Sequence, residues 1–310
     1  TSTGFTSTQD NIGEVESDGV EIDVDMNMFK ILPLSVDGLS WNSRINFTKS
    51  ESIVTKQEDE QILFGGGVDI GNVAIEGFPL GTIVGGRIER NDDGEYIVNA
   101  AGDYNSEFTI AIDDNGNEVP LGTEGSRQVN AILGNPEPDF VMNYINSINY
   151  KNFTLGFHFQ HVSGGDMYSS TIGVLLGRGN VRSDRRETFV LEGVNADGSP
   201  NTIMINNSQY YFTNILNGPA ELSVFDASVI RLQEVSFAYT FPQEFLDKTP
   251  FGELSLTFAG YNLWHDAYNT PEEVNFDPNV AGAGIGNARG IDYMNGPSTK
   301  RYGVSLKASF

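Results

Sequence analysis

Residues 140–160 read FVMNYINSINYKNFTLGFHFQ. In the first half Phe140, Met142, Tyr144, Ile148 and Tyr150 fall on one face of an extended chain. After Lys151-Asn152 the pattern resumes, with Phe153, Leu155, Phe157 and Phe159 on one face and Thr154, Gly156, His158 and Gln160 on the other. Successive side chains of a strand point to opposite faces, so two period-two arms around a two-residue break predict an antiparallel hairpin. Arms of about nine to eleven residues match a tilted strand crossing a bilayer, whereas strands of soluble sandwiches average about five or six.

The same alternation recurs on both sides of this hairpin. Val20, Ile22, Val24, Met26 and Met28 alternate with Glu21, Asp23, Asp25 and Asn27. Leu39, Trp41, Ile45 and Phe47 alternate with Ser40, Asn42, Arg44 and Asn46. Further along come Val235, Phe237, Tyr239 and Phe241, then Leu254, Leu256 and Phe258. The last segment sets Tyr302, Val304, Leu306, Ala308 and Phe310 against Gly303, Ser305, Lys307 and Ser309. The connections alternate between short (about 30–38, 151–152 and 242–253) and long (about 50–138, 163–228 and 263–301). Outer-membrane barrels have this asymmetry, with short periplasmic turns and long extracellular loops. Structureless loops of this length are uncommon in compact soluble domains. The fold expected is all-β: an antiparallel transmembrane β-barrel with long extracellular loops, of which these seven or more strands form part. Large transporters of this kind have about 22 strands and a plugged lumen.

Composition agrees. Lys and Arg number 18 against 42 Asp and Glu, a net charge of −24, which opposes a nucleic-acid partner because phosphate contacts require clustered cations. Cysteine is absent, which removes disulfide and thiolate chemistry. Thirty-five glycines and twelve tyrosines fit strands and turns better than helices. No apolar run reaches the roughly 20 residues of a spanning helix. The opening Thr1-Ser2-Thr3-Gly4 has neither the basic start nor the apolar stretch of an export signal. A barrel reaches the outer membrane by secretion, so a processed or partial chain is expected.

The stretch Ser228-Val229-Ile230-Arg231-Leu232-Gln233-Glu234-Val235-Ser236-Phe237-Ala238-Tyr239, followed by Phe241-Pro242, Leu254 to Gly260 and Tyr261-Asn262-Leu263-Trp264, resembles the late strands of SusC/RagA-type TonB-dependent transporters. Asn262, Leu263 and Trp264 carry the family's Asn-Leu-aromatic step. Pro271-Glu272 and Asn275-Phe276-Asp277-Pro278 resemble its acidic-proline loop, and Gly296-Pro297-Ser298 to Arg301-Tyr302 and on to Phe310 its final strand. Looser likenesses precede these at Gly19-Val20-Glu21, Trp41 to Ser50, Gly77 to Gly81, Gly134 to Pro138 and Tyr150 to Phe153.

The resemblance implies that residues 1–310 are the C-terminal part of the barrel, with the plug and N-terminal domains outside this chain. It implies TonB-dependent uptake of glycan or peptide fragments, with a SusD-like surface lipoprotein, TonB, outer-membrane lipid and the barrel-assembly machinery as partners. Tyr302, Val304, Leu306 and Phe310 would then be the assembly signal. A SusC-like barrel acting as a structural scaffold is the alternative, and an enzyme is a distant third.

The chemistry-bearing residues point the same way. His158 and His161 are three apart, on opposite faces of a strand, and so do not share a metal. His265 and Asp266 sit together in a loop, with nothing resembling a nucleophile elbow. Asp113-Asp114-Asn115-Gly116-Asn117-Glu118 lacks the calcium-loop spacing and reads as a tight turn, as do Asn91 to Gly94 and Asn195 to Gly198. Gly65-Gly66-Gly67 and Ala281 to Gly286 read as flexible loop, since neither leads into a helix or a Lys-Ser/Thr. No cofactor or metal is expected. Arg178, Arg182, Arg185 and Arg186 form a basic cluster suited to lipopolysaccharide phosphates or a partner. Ligand candidates are the loop aromatics Phe64, Phe78, Tyr104, Tyr210, Tyr211 and Phe212. Loops this long face a large ordering entropy unless something packs on them, so they are expected to carry the partner contacts.

Overall fold

The computed structural model describes residues 13–32, 36–58, 61–66, 70–181, 188–271, 274–281 and 289–310. Its largest element is a seven-stranded sheet of β1 (Gly13–Asn27), β2 (Leu39–Gln57), β3 (Phe140–Tyr150), β4 (Phe153–Ser163), β5 (Val229–Thr240), β6 (Glu253–Asp266) and β7 (Arg301–Ser309). Every strand pairs antiparallel with its neighbour in sequence. The seven alternating segments are these seven strands, in order. All three long connections leave from one end of the sheet, and all three short ones from the other. The outer edges of β1 and β7 have no further strand among the described residues. Among those residues no helix is long and apolar enough to cross a membrane.

Register turns the alternation of single strands into two faces of a sheet. One row crosses six strands as Trp41, Ile148, Leu155, Phe237, Phe258 and Val304. The row one residue over, on the opposite face, reads Asn42, Ser147, Gly156, Ser236, Ala259 and Gly303. The apolar face does not pack into a two-sheet core: Phe237, Phe258 and Val304 are 45%, 51% and 68% exposed. A contiguous exposed apolar sheet face of this extent fits a hydrocarbon environment and no aqueous one.

Aromatic residues bound that face at both ends. At the short-turn end Phe153 lies 4.9 Å from Tyr239, Tyr239 lies 5.1 Å from Phe241, and Phe251 lies 5.1 Å from Phe310. At the long-connection end Phe47 lies 5.5 Å from Phe140, which lies 5.1 Å from His161. From Phe153 to His161 is eight residues, on the order of 26 Å along the strand, close to the apolar band between barrel girdles. This face is interrupted by polar Ser43 of β2 and by its partner across the ladder, Asn146. Asn146 is buried, its Oδ1 accepting from Trp41 Nε1 at 2.8 Å and Ser43 Oγ at 2.5 Å. The gap at Asn146 in the apolar pattern of β3 is thus covered by Trp41, which keeps the amide from lipid.

The other face is polar. His158 Nε2 meets Asn143 Oδ1 at 2.9 Å, Gln160 donates to the same oxygen at 3.3 Å, and Gln233 donates to Gln160 at 2.9 Å. His158 and His161 do point to opposite faces; His161 Nε2 lies 2.9 Å from the Tyr268 hydroxyl.

The long connections differ most from expectation. Among the described residues they form a strand-rich layer with an apolar core of its own. Its core is Val73, Ile75, Val84, Ile110, Ile112, Val129 and Ala131, packed against Phe78 and Ile132. The three connections also order one another. Val98 N–H donates to the Val194 carbonyl at 2.9 Å, Tyr104 N–H to Asn214 Oδ1 at 2.9 Å, and Tyr168 N–H to the Gly290 carbonyl at 2.7 Å. Glu221 of the second connection holds the Arg90 guanidinium and the Ile88 amide of the first. The entropy of ordering is therefore offset inside the chain.

Three local expectations change with this layer. Gly65 and Gly66 lie in a strand, Ile62–Gly66, rather than a flexible loop. His265 and Asp266 close strand β6 rather than sit in a loop, because β5 continues the ladder beside them. Strand β2 runs to Gln57, past the expected border near residue 50, because β1 pairs with it throughout. The three Asx-rich stretches are turns as read, with Gly94, Gly116 and Gly198 at φ 82°, 80° and 80°. Residues 282–286 and Arg182, Arg185 and Arg186 lie outside the described residues.

The Asn262-Leu263-Trp264 step is a β-bulge. Opposite Leu232, Gln233 and Glu234 of β5, strand β6 carries one extra residue between Tyr261 and Trp264. Asn262 takes the left-handed conformation this requires, with φ 52°. Gly260 makes room: a Cβ there would lie 2.8 Å from Leu263 Cδ2. Asn and Gly tolerate this backbone, while a β-branched residue pays roughly 1–2 kcal/mol. Urea unfolding of Asn262→Gly should match wild type, and Asn262→Val should lose about that amount. Equal midpoints for both variants would show that the bulge does not depend on the backbone of residue 262.

Candidate functional site

Where the polar face meets the layer above it, the chain closes around a cavity of about 260 Å³. Its lining comes from the top of β4 and β5 (Val162, Val229, Arg231), the entry to β3 (Pro136, Pro138), the second connection (Asp166, Met167) and the third (Pro278, Asn279, Arg289). Arg231 lies on the polar face of β5, paired with Gln160 of β4 and His265 of β6. Its side chain is 3% exposed, and Nη1 lies 3.1 Å from Asp277 Oδ1, whose side chain is 7% exposed. Two stretches singled out separately in the sequence, one around Arg231 and one around Asp277, thus meet in one buried ion pair. Asn275 supports the loop: its Oδ1 accepts from Ala267 N–H at 2.9 Å, and its own carbonyl lies 2.9 Å from His265 Nε2. The local backbone at Asn275 is left-handed, with φ 38°.

Across the cavity Asp166 Oδ2 accepts from the Asn135 amide at 2.8 Å. Burial raises the Asp166 pKa above the ordinary carboxylate range, and the charges of Asp226 and Asp139 push it the same way, partly opposed by that hydrogen bond. Gly134, Gly164 and Gly290 allow the walls to close; a Cβ at Gly134 would lie 2.5 Å from Asp166 Oδ2. Arg289, 59% exposed, lies 3.9 Å from Glu137 Oε1. Glu137 in turn accepts from Ser52 Oγ at 2.6 Å and the Ser52 amide at 3.0 Å. The cavity therefore joins a buried guanidinium, an exposed one and the Asp166 carboxylate among proline walls.

The six aromatic ligand candidates divide into two places. Phe64 lies half-buried in its strand, and Phe78 packs against the apolar core of the layer. Tyr104, Tyr210, Tyr211 and Phe212 surround a polar hub in which Asp103 accepts from Gln209, Thr213 and Asn214. Tyr104 stacks edge-on to Tyr96 at 5.6 Å, and burial pushes its pKa up to about 12. Tyr210 is edge-on to Phe189 at 5.4 Å. Tyr211 is buried under the Arg178 guanidinium, 4.2 Å above its ring, which gives that member of the basic cluster a packing role. Phe212, 52% exposed, is the one of the six that faces solvent broadly. Arg231, Asp277 and Asp166 were not among the candidates. The available signal was a single Arg on the polar face of an otherwise uncharged-to-acidic strand.

No protein-family model matches the chain. It is 25% identical over 330 aligned residues to the TonB-dependent receptor P3 of Formosa agariphila, covering 99% of this chain and 30% of that protein. To the TonB-dependent receptor P26 of the same organism it is 24% identical, with the same coverage. The chain thus spans about 30% of the length of the curated relatives it matches. Among solved structures it shares its fold with the RagAB peptide transporter (TM-score 0.58, 14% identity, 99% of this chain and 31% of that one). It shares it also with the RagAB peptide importer in the open-open state (TM-score 0.56, 13% identity, 99% and 30%). Along nearly its whole length the chain is thus similar in sequence to a segment of these TonB-dependent receptors, and it shares the fold of the RagAB structures.

Proposed function

We propose that the chain is part of the wall and mouth of an outer-membrane barrel that takes up glycan or peptide fragments by TonB-dependent transport, working with a SusD-like surface lipoprotein. The observation that carries this reading is the sheet's two-faced construction. An apolar face bounded by two aromatic belts suits lipid, the opposite polar face suits a lumen, and a folded layer with a polar cavity stands over the long-connection end. Seven strands are about a third of the roughly 22 in a large transporter barrel, and on this reading they are its C-terminal third. The names of the relatives support energised uptake, and the RagAB likeness supports a lipoprotein partner.

The test compares intact cells with cells lacking this receptor and with cells lacking TonB. Fluorescent oligosaccharide and oligopeptide pools are offered, and internalised label is read out. At least one pool should enter wild-type cells and be lost in both deletions. Uptake of both pools unchanged without the receptor would overturn transport. An outer-membrane assembly that falls apart without it would then favour a scaffold.

A further inference from the structure

We propose that Arg231 forms a carboxylate-recognition subsite in the cavity at the mouth, so that the ligands admitted there carry an exposed carboxylate. The inference deepens the transport reading by naming the substrate chemistry, and it rests on that reading for the complete receptor.

The starting observation is an imbalance of hydrogen bonds. Arg231 is 97% buried by its side chain and offers five N–H donors, yet its ion-pair contact is one oxygen of Asp277 through Nη1. Its Nε and Nη2 meet no acceptor among the described residues. Buried polar groups in folded proteins are nearly always paired, and leaving a charged one short is costly. The two unpaired nitrogens are moreover adjacent. Nε–H and the Nη2–H parallel to it make up the side edge of the guanidinium, whose spacing matches the two oxygens of one carboxylate.

Position gives the edge a use. Arg231 lines the 260 Å³ cavity, whose other walls include Pro136, Pro138 and Pro278, with Arg289 as a second cation. Asp166 is in the same cavity but is engaged by the Asn135 amide, and its burial disfavours the charged form. It therefore does not supply the missing anion. Asp277 cannot do so either, since its contact is at the other end of the guanidinium. The unpaired edge is buried, so an anion reaches it only when the surrounding segments give way. Small carboxylates come from two sources in this setting, peptide termini and acidic sugars, and both present the same two oxygens.

The experiment uses the complete receptor in detergent and measures binding of trialanine, its C-terminal amide, trigalacturonate and the neutral trisaccharide cellotriose. Two variants accompany the wild type. Arg231→Gln removes the fork and the charge. Arg231→Lys keeps a cation for Asp277 but lacks the side edge, so it guards against a variant that fails to fold. The expected result is that trialanine, trigalacturonate or both bind wild type, and that their amide or neutral counterparts bind at least ten-fold more weakly. Arg231→Lys should lose roughly ten- to a hundred-fold in that binding, the usual range for a charge-assisted pair. Binding of trialanine alone assigns the subsite to peptide termini, and of trigalacturonate alone to acidic sugars. Equal binding of charged and neutral probes, no binding of either acid at millimolar concentration, or an unchanged affinity in folded Arg231→Lys would each overturn the subsite. Because this readout is binding to purified protein, it is separable from uptake. A receptor that binds acids through Arg231 without importing them would refute transport and leave the subsite standing.

Discussion

Replacing Asp277 by alanine is expected to destabilise the mouth of this protein by about 3–5 kcal/mol, the cost of leaving a buried charge without its partner. Arg231 is 3% exposed and makes its ion pair with Asp277 at 3.1 Å. Its remaining donors already include two without acceptors, so the guanidinium has little else to fall back on. The loss should be local at first. The segment 274–281 is tied to the sheet by Asn275 and Asp277, and once the pair is gone the Asn275 contacts and the bond from Asn295 to the Val280 carbonyl remain among the described residues. Limited proteolysis should cut this segment in Asp277→Ala while leaving the paired strands intact, and the urea midpoint should fall. Asp277→Asn keeps an acceptor and should recover part of the loss. Wild-type protease resistance in Asp277→Ala would mean that Arg231 is satisfied by other groups.

The second large effect separates the two faces of the sheet. Phe237 stands in the middle of the apolar row, between Leu155 and Phe258. Arginine at that position would sit inside the apolar band, between its middle at Phe157 and the aromatic belt at Phe153, at a cost of about 1–3 kcal/mol. Ala238 is its neighbour in sequence but lies on the other face, between Thr154 and Thr257. Arginine there would project into water and should cost well under about 1 kcal/mol, altering selectivity instead. Folded barrel in the outer membrane, measured by its heat-modifiable mobility on gels, should therefore drop sharply for Phe237→Arg and little for Ala238→Arg. The reverse order would place lipid on the polar face.

These two results depend on different parts of the chain, and the two were unequally legible. Each strand announces itself: one strand's alternation is a local property of consecutive residues, and a sheet in sequence order needs no long-range information beyond which connections are short. That is why the hairpin at 140–160 and the five segments around it map directly onto the sheet. The sense of the apolar face followed from the same alternation, with Asn146 as the one residue whose place needed a neighbour, Trp41, to explain it. Turns were equally local, since Asn-Gly and Asp-Gly chemistry sets its own backbone.

The layer over the mouth was not legible in this way. Its core draws Val73, Ile75, Ile110 and Val129 from short pieces whose pairing does not simply follow the sequence, and none of those pieces is long enough to carry a period. Its decisive contacts join residues more than a hundred positions apart, such as Glu221 with Ile88 and Asp103 with Asn214. The ion pair at the cavity is of the same kind. Arg231 and Asp277 were both in view as parts of motifs, yet nothing in the spacing of 46 residues brings them together; the return of β6 beside β5 does so. The sequence alone determined the strands, their order and their two faces, because those follow from side-chain alternation and short turns. Only the tertiary structure decided which charges are buried at the mouth and what the long connections do, because burial and pairing there arise from closure of distant segments on one another.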